Sequence, residues 1–239
     1  MSVKDWFLKI KEKWENTGYT CDFCDREAFD YPQPRLCEDC QKSLIKNDKN
    51  TCEKCGRATV TQGVCLTCKS VAMGFDKGSS PFVYYGETAG VINRFKGGKA
   101  HLAITFAEYM AEAFTRLGVQ ADAVTFVPLE KAKRRARGYD QAELLAKKVA
   151  KLLGVPLLPT LTCLGKKGAQ KELSVAERRD NVEGIYRVTE RKAVKDKQIL
   201  LIDDIMTTGA TGSECASRLK RAGAKGVYFL TIASLPERK

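Results

Sequence analysis

Two hydrophobic periods alternate along the last two-thirds of the chain. Short apolar runs at Ala123–Val127, Ile199–Ile202 and Val227–Ile232 lack the polar alternation of a half-exposed strand. They predict strands buried on both faces of a parallel sheet. Between them, Leu102, Phe106, Met110, Phe114 and Leu117 recur at helical spacing, which predicts a helix over 100–117. Further helices are expected over Gln141–Leu153 and from about Gly212 to Ala222. Other strands are expected at Pro81–Tyr85, near Leu157–Leu164 and at Ile185–Val188. Strands alternating with helices give an α/β fold with a parallel sheet. Residues 1–15 carry Val3, Trp6, Phe7, Ile10 and Trp14 on one helical face. Acids are mixed among its lysines, so that face is expected to pack on protein rather than on a membrane. The Gly- and Ser-containing stretch Met73–Pro81 reads as a linker between an N-terminal domain, 1–70, and an α/β domain, 71–239.

The N-terminal domain is dominated by cysteine. Eight of the chain's 10 cysteines form four Cys-x-x-Cys pairs: Cys21/Cys24, Cys37/Cys40, Cys52/Cys55 and Cys65/Cys68. A two-residue spacer lets two thiolates face one ion from a tight turn, and two such turns complete a tetrahedron. Gly56 stands where such a turn needs a positive φ. Disulfides and a redox pair are the competing uses of cysteine. Four pairs in series is ribbon spacing rather than one motif beside a strand. Two structural zinc ions are expected; the spacing allows sequential or interleaved sites, and sequential ones, 21/24/37/40 and 52/55/65/68, are preferred. So short and polar a segment would owe its folding energy to the metal. Cys163 and Cys215 are isolated and read as packed side chains.

The second chemical stretch follows the run Ile199–Ile202. It reads Asp203-Asp204-Ile205-Met206-Thr207-Thr208-Gly209-Ala210-Thr211, and a helix begins just after it. Ligands of open α/β sheets bind at the carboxyl ends of strands. A loop of hydroxyls and glycine leading into a helix N-terminus suits a phosphate, through N–H groups, hydroxyls and the helix dipole. Two adjacent carboxylates can take a pair of sugar hydroxyls or a divalent cation.

Charge adds a third feature. The formal net charge is +12. Residues 1–70 hold 12 Lys and Arg against 11 Asp and Glu, and the remainder holds 29 against 18. Part of that excess is one run, Lys131, Lys133, Arg134, Arg135 and Arg137, just past the strand that ends at Pro128. Charge runs are ordinarily solvated helix faces. This one lies on the same rim as Asp203 and Asp204, so a pyrophosphate or a nucleic-acid backbone is the expected occupant. Aromatic residues for base stacking are sparse there beyond Tyr139. The single His101 opens a helix and has no acid or nucleophile beside it. No apolar run is long enough to span a bilayer, and Lys9, Lys11 and Lys13 interrupt any signal-peptide core. A soluble cytoplasmic protein without membrane insertion is expected.

The stretch 203–211 resembles the 5-phosphoribosyl-1-pyrophosphate (PRPP) motif of type I phosphoribosyltransferases: apolar strand, two acids, two variable residues, Thr-Thr-Gly, one residue, Thr. The resemblance implies that Asp203 and Asp204 bind the ribose 2′- and 3′-hydroxyls, directly or with Mg²⁺. It implies that Thr207, Thr208, Gly209, Ala210 and Thr211 hold the 5′-phosphate. From Cys21 onward the chain is similar to the ComF family of competence proteins, which join a double zinc ribbon to a type I phosphoribosyltransferase fold. That likeness rests on the paired cysteines, Val127-Pro128-Leu129, Arg137-Gly138-Tyr139-Asp140-Gln141, and Gln170, Leu173, Arg178 and Asn181. The family usually shows Phe and Asn where this chain has Tyr139 and Asp140. It implies a role in natural transformation, binding incoming single-stranded DNA in the cytoplasm alongside competence proteins such as a DNA translocase. Gln170, Arg178 and Asn181 become candidate site residues on a polar stretch, 165–184, that reads as a lid. The resemblance leaves the chemical reaction open. The competing reading is nucleobase salvage, in which Mg²⁺ and cations hold pyrophosphate while a ribosyl cation develops. A salvage enzyme needs a hood that reads one base, and no such hood is identifiable in the cysteine-rich segment.

Overall fold

The computed structural model describes residues 19–28, 35–164 and 184–237. The expected helix over 1–15 and the site candidates Gln170, Arg178 and Asn181 lie outside the described residues. The chain forms two compact units, Met1–Leu44 and Ile45–Lys239. In the first, β1 (Tyr19–Thr20) pairs antiparallel with β2 (Glu27–Ala28), and a short helix, α1 (Glu38–Ser43), follows. Among the described residues of this unit, Cys21, Phe23, Leu36 and Leu44 are the buried hydrophobic side chains.

The second unit holds the sheet. Its order is β3 (Lys77–Ser79), β9 (Gly226–Ser234), β8 (Gln198–Met206), β5 (Ala123–Phe126), with β4 (Phe82–Val83) also on β9, and every pairing is parallel. Ile199, Leu200, Leu201 and Ile202 are all fully buried at its centre, as a strand covered on both faces requires. Ile199 and Leu201 share a core cluster with Cys215, Ala216 and Leu219 of α8 (Ala210–Arg221). The helices α4 (Leu102–Thr115) and α6 (Gln141–Leu153) pack on β9, β8 and β5. They come from the expected periodic segments. No helix among the described residues is long and apolar enough to cross a membrane.

Three features depart from the sequence-based expectation. The stretch Met73–Pro81 contains β3, a strand of the main sheet, and Phe75 is fully buried against Phe229 with ring centroids 5.2 Å apart. The compact units accordingly part between Leu44 and Ile45, not at 70/71. Cys52, Cys55 and Cys65 belong to the same core cluster as Phe75, Ile199 and Phe229. Finally, β6 (Leu161–Cys163) and β7 (Tyr186–Val188) form a separate antiparallel pair beside the parallel sheet. The remaining helices are α2 (Leu66–Ser70), α3 (Gly86–Lys96), α5 (Lys131–Arg137) and α7 (Arg191–Val194).

Candidate functional site

The carboxyl ends of β5 and β8 open into one cavity of about 360 Å³. Asp203, Asp204, Thr207, Thr208, Ala210 and Thr211 line one side of it. Lys133, Arg137 and Asp140 line another, with Lys96, Cys163 and Tyr186 completing the wall. Strand β8 runs past the four apolar residues to Met206, so both acids lie in its last turn of pleat rather than beyond it. Gly209, with φ 84°, is the N-cap of the 12-residue α8. Gly212 lets the helix start close against the sheet, since a Cβ there would stand 2.5 Å from the Phe229 ring. Thr207, Thr208, Ala210 and Thr211, at the start of that helix, line the same cavity as the acids, and Thr208 Oγ1 accepts the Ala210 N–H at 3.3 Å.

The electrostatics are arranged for a ligand that brings cation and anion together. Lys96 of α3 pairs with Asp204 at 3.0 Å, both side chains mostly shielded. The Asp203 Oδ1 accepts the Asp204 N–H at 2.8 Å. Burial and the adjacent Asp204 carboxylate push the Asp203 carboxyl well above the usual carboxylate range. A bound divalent cation would relieve that pressure, and Asp203 and Asp204 are the residues present to hold it. Burial also pushes Tyr186 up, so its phenol stays protonated in the cavity wall.

The basic run forms α5, whose two faces differ. Lys133 and Arg137 reach the cavity, and Arg137 also donates to Gln141 Oε1 at 3.0 Å. Arg134 is tied to Glu143 at 3.0 Å. Lys131 and Arg135 are exposed and do not line the cavity. Tyr139 donates its hydroxyl to the Phe95 carbonyl, and Asp140 is buried. The Asp140 carboxylate accepts from Leu129 N–H at 2.7 Å and caps α6 at Glu143 N–H at 3.2 Å. Its place is structural, joining the Pro128–Leu129 loop to a helix start. Burial raises its carboxyl despite those donors.

Sequence reading missed Lys96, Tyr186 and Cys163 as cavity residues. Lys96 ends a helix that periodicity does not announce, and the other two belong to the antiparallel pair. It also missed a second basic cavity of about 480 Å³, where Arg187, Arg191, Arg218 and Arg221 converge from β7, α7 and α8. No linear run signals it, because the four arginines come from three elements.

The cysteines gather as two sets of four, Cys21/Cys24/Cys37/Cys40 and Cys52/Cys55/Cys65/Cys68, each with its sulfurs within 4.8 Å of one another. The grouping is the sequential one. Cys24 and Cys37 sulfurs stand 3.7 Å apart, and Cys55 and Cys65 sulfurs 3.8 Å. Four thiolates about 2.3 Å from a tetrahedral ion have edges close to those values. Backbone N–H groups also point at sulfur, from Cys37 to Cys21 at 3.3 Å and from Cys65 to Cys52 at 3.3 Å. That is the hydrogen bonding a thiolate needs. Both sets fit a structural metal ion and are compatible with a double zinc ribbon.

A parallel α/β sheet with this acid-and-hydroxyl rim defines a phosphoribosyltransferase-type domain, and the phosphoribosyl transferase domain family matches residues 140–239. The chain is similar to competence protein F, ComFC and YhgH, in line with its resemblance to the ComF family. It is 29% identical to competence protein F of Haemophilus influenzae over 114 residues, 47% of this chain and 50% of that protein. It is 28% identical to competence protein ComFC of Streptococcus pneumoniae over 202 residues, covering 82% and 86%. It is 24% identical to DNA utilization protein YhgH of Escherichia coli K12 over 200 residues, covering 80% and 87%. The match spans about half the length of the Haemophilus protein and of the Salmonella YhgH proteins. Among solved structures, a glutamine PRPP amidotransferase from B. subtilis complexed with ADP and GMP is 26% identical, covering 54% of this chain and 26% of that one, with a TM-score of 0.38.

Proposed function

We propose that this is a ComF-type protein of DNA uptake in the cytoplasm. It binds PRPP, or a related phosphoribosyl ligand, with Mg²⁺ in the 203–211 cavity, and single-stranded DNA on its basic surfaces. Two structural zinc ions occupy the cysteine sets. One observation carries the ligand reading: a single cavity joins adjacent carboxylates, a hydroxyl loop at a helix N-terminus, and the cations Lys96, Lys133 and Arg137. Asp203 and Asp204 would hold the ribose hydroxyls or Mg²⁺, Thr207–Thr211 the 5′-phosphate, and Lys133 and Arg137 the pyrophosphate. Its volume is in the range of small-molecule sites. The relatives' names, competence and DNA utilization, support the DNA reading. So does the exposure of Lys131 and Arg135 away from the cavity, where, with no ion pair among the described residues, they are placed to meet a phosphate backbone.

The test is thermal. A ligand at ~100 times its dissociation constant stabilises by roughly 2.7 kcal/mol. Millimolar PRPP with Mg²⁺ should raise the melting temperature of the wild type and leave Asp204→Ala unmoved. No shift in wild type would rule out PRPP. Release of pyrophosphate from labelled PRPP with one nucleobase of a panel would favour the salvage reading.

A further inference from the structure

Arg57 is a cation 5% exposed, two residues past Cys55. Its Nε donates to Cys55 Sγ at 3.3 Å, and its Nη2 donates to the carbonyl of Thr207 at 3.0 Å, 150 residues away. Among the described residues it makes no salt bridge with a carboxylate. A buried guanidinium needs an anionic partner, and the Cys55 sulfur, as a thiolate when its set of four holds a metal, would supply it. The frame around Arg57 is closely fixed. Gly56, with φ 71°, abuts β3 so tightly that a Cβ would lie 2.4 Å from the Gly78 carbonyl. Asn47 Nδ2 donates to the Gly56 carbonyl at 2.7 Å and to the Ser80 carbonyl at 3.0 Å. Gly78 N–H donates to the Lys54 carbonyl at 2.8 Å. After β9, Glu237 N–H donates to the Ala58 carbonyl at 2.8 Å, and its Oε1 accepts from Leu66 N–H at 2.6 Å. The cysteine loop is thereby a rigid mount, and Arg57 is its one side-chain strut, on the described hydrogen bonds, to the 207–211 loop.

We propose that Arg57 is a positioning residue that couples the metal at Cys52/Cys55/Cys65/Cys68 to the phosphate loop. Holding the Thr207 carbonyl away from the cavity keeps the loop's N–H groups aimed at an anion. Losing the metal removes the thiolate partner of Arg57, releases the strut and weakens the loop as an anion site. This rests on the ligand reading above for its consequence, but the strut itself is a property of the unliganded chain.

Hydrogen exchange on the full-length protein tests it without ligand. Arg57→Lys keeps a charge but loses the fork that spans sulfur and carbonyl. Exchange of the amides over 207–211 should rise about tenfold in Arg57→Lys, with metal content per chain unchanged. Metal stripping by chelator should raise it likewise, whereas Cys24→Ser, in the other set, should not. The PRPP-induced melting shift should shrink in Arg57→Lys. Wild-type exchange over 207–211 in Arg57→Lys overturns the proposal, as does faster exchange in Cys24→Ser equal to that in the stripped protein. Arg57→Met is the second variant if Arg57→Lys fails to fold, read in the same way. A wild type blind to PRPP defeats the ligand reading alone, since the exchange result stands without it.

Discussion

Asp203 is held in its cavity against its own electrostatics. Its carboxyl is raised by burial and by Asp204, so the folded state keeps a proton that the unfolded chain gives up near pH 4. The native state therefore binds more protons between that point and the raised value. Wild-type stability must fall as pH rises through the window and level off above it. Asp203→Asn carries no such proton and should have a flatter profile there. At pH 7 without ligand it should melt higher, by roughly 2–4 °C per kcal/mol recovered in a protein of this size. It should also lose the PRPP response. Thermal melts from pH 4 to 8 decide it, and a lower melting point at pH 7 would show that Asp203 stabilises the apo fold. Asp140 makes the opposite case. It accepts two backbone N–H groups while buried, so Asp140→Ala should destabilise by about 1–3 kcal/mol in urea titration. Asp140→Asn keeps one of its two acceptor oxygens and should fall between. The acid-and-hydroxyl rim was legible at this scale because it is contiguous. Lys96 and Arg57 were not, because each meets the rim only through tertiary structure.

Elements differ in how plainly the sequence announces them. Helices α4 and α6 were readable because each lays one apolar stripe on the sheet at a regular period, with Phe106, Met110, Leu145 and Val149 all fully buried. Strand β3 was not, because Lys77-Gly78-Ser79 has no hydrophobic signature. Glycine there serves close approach: a Cβ at Gly78 would lie 2.7 Å from the Cys55 carbonyl. What read as a linker is a strand whose role is contact with the cysteine loop. For α5 the run of charge was legible but not its division. Lys133 and Arg137 are four residues apart on the cavity side, and Lys131 and Arg135 lie about 200° around the helix from them. Paired variants should separate the functions. Lys133→Ala with Arg137→Ala should weaken PRPP. Lys131→Ala with Arg135→Ala should leave PRPP alone and flatten the salt dependence of single-stranded DNA binding by about 1.4 in log–log slope, at ~0.7 per phosphate contact. Fluorescence anisotropy of a labelled oligonucleotide across salt concentrations measures it. An unchanged slope would move the DNA path to the cavity of Arg187, Arg191, Arg218 and Arg221.

At the scale of the whole chain, the two cysteine sets look alike in sequence but fall in different compact units. The division also sorts the charge: residues 45–239 hold 34 Lys and Arg against 20 Asp and Glu, while residues 1–44 hold 7 against 9. Any polyanion is thus drawn by the second unit. The same division predicts unequal consequences of metal loss. Cys21 belongs to the smaller unit, where Cys21, Phe23, Leu36 and Leu44 are the buried hydrophobic side chains among the described residues and a bound metal would supply much of the folding energy. Cys21→Ser should lose about one metal ion per chain, melt the first unit and leave the main calorimetric transition in place. Cys52 instead shares a core cluster with Phe75, Ile199 and Phe229, so its loss combines an emptied metal site with a disrupted core. Cys52→Ser should lower the stability of the α/β unit by more than ~4 kcal/mol, a size reserved for lost metals and broken cores. Scanning calorimetry with metal analysis of both variants would show it. If Cys52→Ser left the main transition where Cys21→Ser leaves it, the second cysteine set would be an appendage of the sheet rather than part of its core.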